Sequence, residues 1–190
     1  MKVNKNKKYM KIIETDFQGL FVIQPKVFED DRGYFVETFN VKKFAKKTNI
    51  VPNFVQDNES LSDIFTVRGL HYQKGKYAQA KLVRVTQGSV IDVVLDLRPK
   101  STTYGKHYSV HLSGKNKKQL YIPKGFAHGF SVLKDETIFN YKCDAPYNKK
   151  SEAGINPYDP DLHIHWYIKA DEAIMSDKDK NWPNLCDIQK

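Results

Sequence analysis

The chain has 190 residues, a formal net charge of +9, and 40% hydrophobic and 28% charged side chains. That length suffices for one domain with its own core, so residues 11–190 are expected to form a single domain behind a basic tail, residues 1–10. No apolar run approaches the roughly 20 residues of a membrane span, and two cysteines, Cys143 and Cys186, are too few for a disulfide framework or a clustered zinc site.

From the N-terminus, the first residues are rich in Lys and Asn with no apolar stretch behind them, which is not a secretory pattern. The expectation is a protein that stays in the cytoplasm. Lys2, Lys5, Lys7 and Lys8 sit in this segment, and without them the charge is about +5, scattered over loops. No arginine-rich helix, zinc-finger spacing or aromatic RNA-binding signature follows, so neither nucleic acid nor membrane is expected as a partner. A small anion such as a diphosphate is.

Beyond the tail, short aromatic and β-branched runs recur between Gly, Pro, Asn and Asp, the pattern of an all-β sandwich or barrel. Strands are predicted over 20–27, 33–39, 81–86, 89–97, 119–122, 127–133 and 137–143, with turns such as Asp30-Asp31-Arg32-Gly33 and Gln87-Gly88 between them. One amphipathic helix is predicted over 41–47, capped by Asn40, with Val41, Phe44 and Ala45 on one face and the lysines mostly turned away. No repeat, linker or composition break divides the chain. About ten short strands in one domain match a jelly roll, two sheets folded together around a cavity, with a few short peripheral helices.

Polar residues inside strands need a reason, because a charged side chain pointing into a barrel is either paired or faces a ligand. In Val67-Arg68-Gly69-Leu70-His71-Tyr72 a cation and an imidazole interrupt an apolar run. Arg68 and His71 are an odd number apart, so strict alternation sends them to opposite faces, and both reach one site only if Gly69 permits a bulge or twist. In Ala80-Lys81-Leu82-Val83-Arg84-Val85 the period of two groups Lys81 with Val83 and Val85, so an inward valine face makes Lys81 look into the barrel.

The segment Ile122-Pro123-Lys124-Gly125-Phe126-Ala127-His128-Gly129-Phe130 puts a Pro and Gly turn before a histidine that enters a strand. This Pro-x-Gly-x-x-His spacing recurs in cupins, double-stranded β-helix barrels in which such a histidine often binds metal. Metal is not expected here, because a transition-metal site wants about three or four convergent ligands and the earlier strand offers His71 without a second His two residues on. His107 and His111 form no ligand pattern and read as surface or strand histidines.

With these pieces assembled, the sequence resembles the deoxythymidine-diphosphate-4-dehydrorhamnose 3,5-epimerases, a cupin-fold family acting on 4-keto-6-deoxy sugars. The resemblance spans residues 19–179 and rests on Pro25-Lys26-Val27-Phe28, Asp31-Arg32-Gly33, Phe54-Val55-Gln56-Asp57-Asn58, Arg68-Gly69-Leu70-His71, Lys81-Leu82-Val83-Arg84, the Ile122 to Phe130 segment and Tyr141-Lys142. It implies that His71 is the catalytic base, Asp179 the carboxylate that partners it, Tyr141 the acid across the sugar ring, and Lys81 the group that steadies the enolate. It also implies that Arg68 and His128 line the sugar and phosphate site, and that Arg32, Phe35, Glu37, Gln56, Asn58, Tyr147 and Lys178 hold the nucleotide or sugar. The implied protein needs no cofactor, takes a nucleotide-diphosphate sugar and is a homodimer, with the N-terminal strand the expected donor in any strand exchange.

The chemistry asks for these residue types. Hydrogens beside a ketone are weakly acidic, so a base must work next to groups that stabilise the developing oxyanion. An imidazole suits neutral pH, and a carboxylate on its other nitrogen fixes the tautomer. Inversion also needs a proton delivered to the opposite face of the planar enolate, and a phenol, ordinarily titrating near pH 10, is protonated and available. The expected reaction is epimerisation of dTDP-4-dehydro-6-deoxy-D-glucose at carbon 3 and carbon 5. Alternatives are a single-carbon epimerase or ketoisomerase on a related nucleotide sugar, a metal-dependent cupin oxygenase or isomerase, and a noncatalytic sugar-binding barrel.

Overall fold

A computed structural model describes residues 10–188. Apart from Met10, the expected basic tail lies outside the described residues. The chain opens with β1 (Lys11–Glu14) and β2 (Phe21–Gln24), then leaves in a hairpin, β3 (Val27–Asp30) and β4 (Gly33–Val36), and a helix, α1 (Val41–Thr48). Next come β5 (Gln56–Ser62), β6 (Val67–Gln73), β7 (Lys81–Gln87) and β8 (Ser89–Asp96). They are followed by β9 (His107–Ser113), β10 (Gln119–Ile122), β11 (Phe126–Val132) and β12 (Thr137–Cys143). A short β13 (Glu152–Gly154) and a one-turn helix, α2 (Asp177–Lys180), come last.

Two sheets carry the fold: six strands in the order β1-β2-β10-β7-β12-β5, and five in the order β13-β6-β11-β8-β9. All of their pairings are antiparallel. Between them lies a core to which the first sheet gives Val22, Val83, Val85, Leu120 and Phe139, and the second Val90, Val94, Leu112, Phe130 and Val132. This is the all-β jelly roll of the cupin type that the sequence predicts, with thirteen strands among the described residues.

The outer faces are covered too. The fully buried Phe44 of α1 packs on Tyr121 and Phe21 over the six-stranded sheet, beside Leu82. The chain from Ile155 to Leu185 lays Trp166 and Leu162 over the five-stranded one. Neighbouring residues on one strand, such as Leu82 and Val83, are therefore both buried. The α1 cap is the predicted one, with Asn40 Oδ1 accepting from the Lys43 N–H, and the helix runs one residue further than predicted, to end on Asn49 at φ 58°.

Two predicted strands change shape. The run over 20–27 is cut at Pro25, which has no N–H for the ladder, so β2 stays in the large sheet and β3 departs into the hairpin. The run over 33–39 ends at Val36.

Candidate active site

The odd spacing between Arg68 and His71 is absorbed by a bulge. Opposite them on β11, His128 pairs with His71 and Phe130 with Arg68, so three steps along β6 match two along β11. Gly69 makes this possible at φ +126°, facing Gly129 so closely that a Cβ would come within 2.5 Å of the Gly129 Cα. The extra residue turns Arg68 and His71 to the same side, into the gap between the sheets.

That gap is a cavity of about 640 Å³. The five-stranded sheet supplies Arg68, His71 and His128, the six-stranded sheet Lys81 and Tyr141, and the segment around α2 supplies Lys178 and Asp179. Its apolar side is Phe130 stacked on Phe139, with ring centroids 4.2 Å apart. An adjoining lobe of about 260 Å³ is lined by Gln56, Asn58, Tyr147 and Cys143, and shares His71, Lys81, Tyr141 and Glu152 with the first.

His71 Nε2 meets Asp179 Oδ1 at 2.5 Å, with the imidazole partly open to the cavity and the carboxylate nearly sealed. Burial pushes the Asp179 carboxyl up, but the hydrogen bond and charge of His71 and the N–H groups of Gly69 and Trp182 outweigh it and hold the group below the ordinary Asp range. Asp179 is therefore a carboxylate at neutral pH. It sits on α2 because Ser176 caps that turn and accepts from the Asp179 N–H.

Across the gap, Lys81 has no ion pair among the described residues, and its Nζ lies 5.9 Å from the centroid of the Tyr141 ring. Burial pushes the Lys81 ammonium down, opposed by the charges of Cys143, Asp92 and Glu152. Burial pushes the Tyr141 phenol up, which keeps it protonated. His128 Nε2 meets Asp92 Oδ2 at 2.8 Å in the barrel interior.

Gln56 and Asn58 bond each other at 2.9 Å, and Gln56 also accepts from the Tyr147 N–H. Lys178 donates to Glu152 at 2.8 Å. Arg32, Phe35 and Glu37 are not brought to the cavity of their own chain. Arg32 pairs with Asp30 on the exposed hairpin, Phe35 packs on Phe28, and Glu37 takes Lys43 and Asn40.

Two residues, one lining the cavity and one behind His128, carry no prediction from the sequence. Glu152 lines both lobes and accepts from Lys178 and the Tyr147 hydroxyl. It follows two lysines and a serine in a stretch with no pattern, so nothing marked it. Asp92 did leave a signal, an acid inside the apolar run Ser89–Asp96, by the rule that singled out Arg68. Among the described residues, no three His, Cys, Asp or Glu side chains converge as metal ligands. No helix among them is long and apolar enough to cross a membrane.

The sequence model for dTDP-4-dehydrorhamnose 3,5-epimerase matches residues 14–187. A dTDP-4-dehydrorhamnose 3,5-epimerase of Methanothermobacter thermautotrophicus is 47% identical over 176 residues, which is 92% of this chain and 94% of that one. The crystal structure of the enzyme of that name from Elizabethkingia anophelis superposes with a TM-score of 0.90 at 50% identity, over 94% of this chain and 98% of its own. A dTDP-6-deoxy-D-glucose-3,5-epimerase from Legionella pneumophila, solved in complex with dTDP-4-keto-L-rhamnose, superposes with a TM-score of 0.89 at 44% identity, over 94% of each chain.

Proposed function

The chain belongs to the dTDP-4-dehydrorhamnose 3,5-epimerase family, and from that premise we propose that it converts dTDP-4-dehydro-6-deoxy-D-glucose to dTDP-4-dehydro-L-rhamnose by proton exchange at carbon 3 and carbon 5. It is an isomerase acting on a dTDP-sugar. His71 takes the proton from the carbon beside the ketone, with Asp179 fixing its ring and stabilising the imidazolium. The electron pair moves to the carbonyl oxygen, where the Lys81 ammonium offsets the charge as it develops. Tyr141 then gives its phenolic proton to the opposite face of the same carbon, and solvent restores both groups.

The observation that carries this reading is the origin of the two rings. His71 belongs to the five-stranded sheet and Tyr141 to the six-stranded one, so base and acid enter the cavity from facing walls. A flat enolate held between them has one of its faces toward each. Lys81, on the strand beside Tyr141, reaches the same space. The larger lobe takes the sugar, with Arg68 and His128 beside it, and the lobe of Gln56, Asn58 and Tyr147 takes the nucleotide, with Lys178 near the junction.

We assign a cytoplasmic homodimer on the same reading. Arg32 and Phe35 serve a nucleotide only across a subunit boundary, since their hairpin meets neither lobe of its own chain. Two free thiols and a nucleotide-linked substrate fit a reducing compartment.

Proton NMR of the keto sugar in deuterium oxide tests the assignment and counts the carbons involved. The natural protein is expected to place deuterium at both carbon 3 and carbon 5. His71→Ala is expected to lower exchange by about 10²- to 10⁴-fold, and Tyr141→Phe to allow exchange while impairing inversion. Wild-type rates in both variants refute the roles, and label at one carbon alone makes the protein a single-carbon epimerase.

A further inference from the structure

The His71–Asp179 couple has a third member that lines neither lobe. The Trp182 indole N–H donates to Asp179 Oδ1 at 3.3 Å, the same oxygen that meets His71 Nε2 at 2.5 Å. The indole stands edge-on to the imidazole, with centroids 6.2 Å apart and planes at 72°. A gap in the facing strand makes room for it. Gly154 pairs with His71 across β13 and β6, and a Cβ built on it would lie 2.4 to 2.5 Å from three atoms of the Trp182 ring. Gly154 is not at positive φ, so it is space and not backbone conformation that calls for glycine there.

We propose that Trp182 is a positioning residue for the reaction assigned above, holding the Asp179 carboxylate, and through it the His71 ring, in the orientation that takes a proton from the sugar. A carboxylate held by one partner can turn about its last torsion and carry the imidazole with it. A second donor on the shared oxygen, from a ring wedged against Gly154, removes that freedom. Asp179 also receives the Gly69 N–H from the bulge itself, so the base is tied to the strand distortion that presents it. Because the indole lines neither lobe, it does not touch the sugar, and its loss falls on turnover and not on binding.

Trp182→Phe keeps a ring against Gly154 and deletes only the N–H. It is expected to lower kcat for exchange and inversion about tenfold, with KM changed by less than about twofold. Wild-type kcat overturns the proposal, as does a rise in KM that accounts for the whole loss. A second measurement does not depend on turnover. The chain has two tryptophans, and Trp166 donates to the Pro157 carbonyl in the core, so its indole N–H resonance is an internal reference. In ¹⁵N-labelled protein, Asp179→Asn is expected to shift the Trp182 indole signal and leave that of Trp166 in place. Two unmoved signals overturn the proposal. A wild-type protein that places no deuterium in the keto sugar overturns the functional assignment instead, and the indole signals still decide whether Trp182 is coupled to Asp179.

Discussion

One strand holds two fully buried carboxylates that are treated in opposite ways. At its end, Asp96 takes Arg98 through both oxygens at 2.7 and 2.9 Å, and the hydroxyls of Ser101 and Thr103 at 2.6 Å each. In its middle, Asp92 has a single partner, His128, and its Oδ1 has none. Burial pushes both carboxyls up, but at Asp96 the hydrogen bonds outweigh it and hold the group at about 2, while at Asp92 burial wins and the group stays above its ordinary value of 3.8. A satisfied carboxylate fastens a turn. An unsatisfied one, kept inside a barrel and touching a histidine of the cavity, costs stability and so points to the chemistry.

Removing the Asp96 side chain is expected to have the largest effect on stability. Asp96→Ala takes the only carboxylate from the Arg98 guanidinium, which keeps the Gln18 carbonyl, and takes the shared acceptor from the Ser101 and Thr103 hydroxyls, near the Gly125 turn where Arg98 also lies over the Phe126 ring at 4.4 Å. Loss of about 3 to 5 kcal/mol is expected, a fall in Tm of about 10 °C, readable by calorimetry, with exchange activity of the folded fraction retained. A loss under about 1 kcal/mol, the worth of a surface pair, would mean that the network is ornamental.

Acid gives the next largest effect and sharpens the contrast by its sign. Asp96, held at about 2 against an ordinary 3.8, contributes stability that is present above 3.8 and lost as pH falls toward 2. Asp92, raised above 3.8, does the reverse, costing stability at neutral pH and ceasing to do so as it protonates. In a comparison of wild type with Asp96→Asn, the stability gap is therefore expected to be widest near neutrality and to shrink by roughly 2 kcal/mol between pH 4 and pH 2. A gap that does not change over that window removes the assigned ionisation.

The same two regions explain what the sequence discloses. Strands β8, β10, β11 and β12 are legible because apolar residues dominate them, and Ser89–Asp96 is buried throughout. Strand β5 is not, because Gln56, Asn58 and Ser60 face the cavity and replace the apolar half of the alternation. The turn segment from Ile122 to Phe130 reads as one motif but serves two places. Gly125, at φ +89°, clears Arg98, whose Cγ would lie 2.5 Å from a Cβ, and His128 enters the cavity. Spacing announced the Gly69 bulge, since Arg68 and His71 could not otherwise share a face. Nothing local announced Glu152 or Trp182: the Lys178 partner of Glu152 lies 26 residues on, and the room for Trp182 depends on a glycine in strand β13.

The smallest expected change in stability comes from Asp92→Asn, and it tests the reasoning most closely. Asparagine keeps the shape and one hydrogen bond to His128 while removing a charge that burial disfavours, so Tm at neutral pH is expected to stay within about 3 °C of wild type. Activity is not expected to follow. An ionised Asp92 can only accept at the His128 Nε2 contact, which leaves the other ring nitrogen as an acceptor; the amide of asparagine can instead donate to Nε2 and reverse the tautomer. On the proposed role of His128 beside the sugar, a hydroxyl donating to that nitrogen would then meet an N–H, and kcat/KM is expected to fall about tenfold. Calorimetry and exchange rates on one preparation separate the outcomes. If Asp92→Asn unfolds as readily as Asp96→Ala, the two carboxylates do the same job, and the bare oxygen at Asp92 says nothing about catalysis.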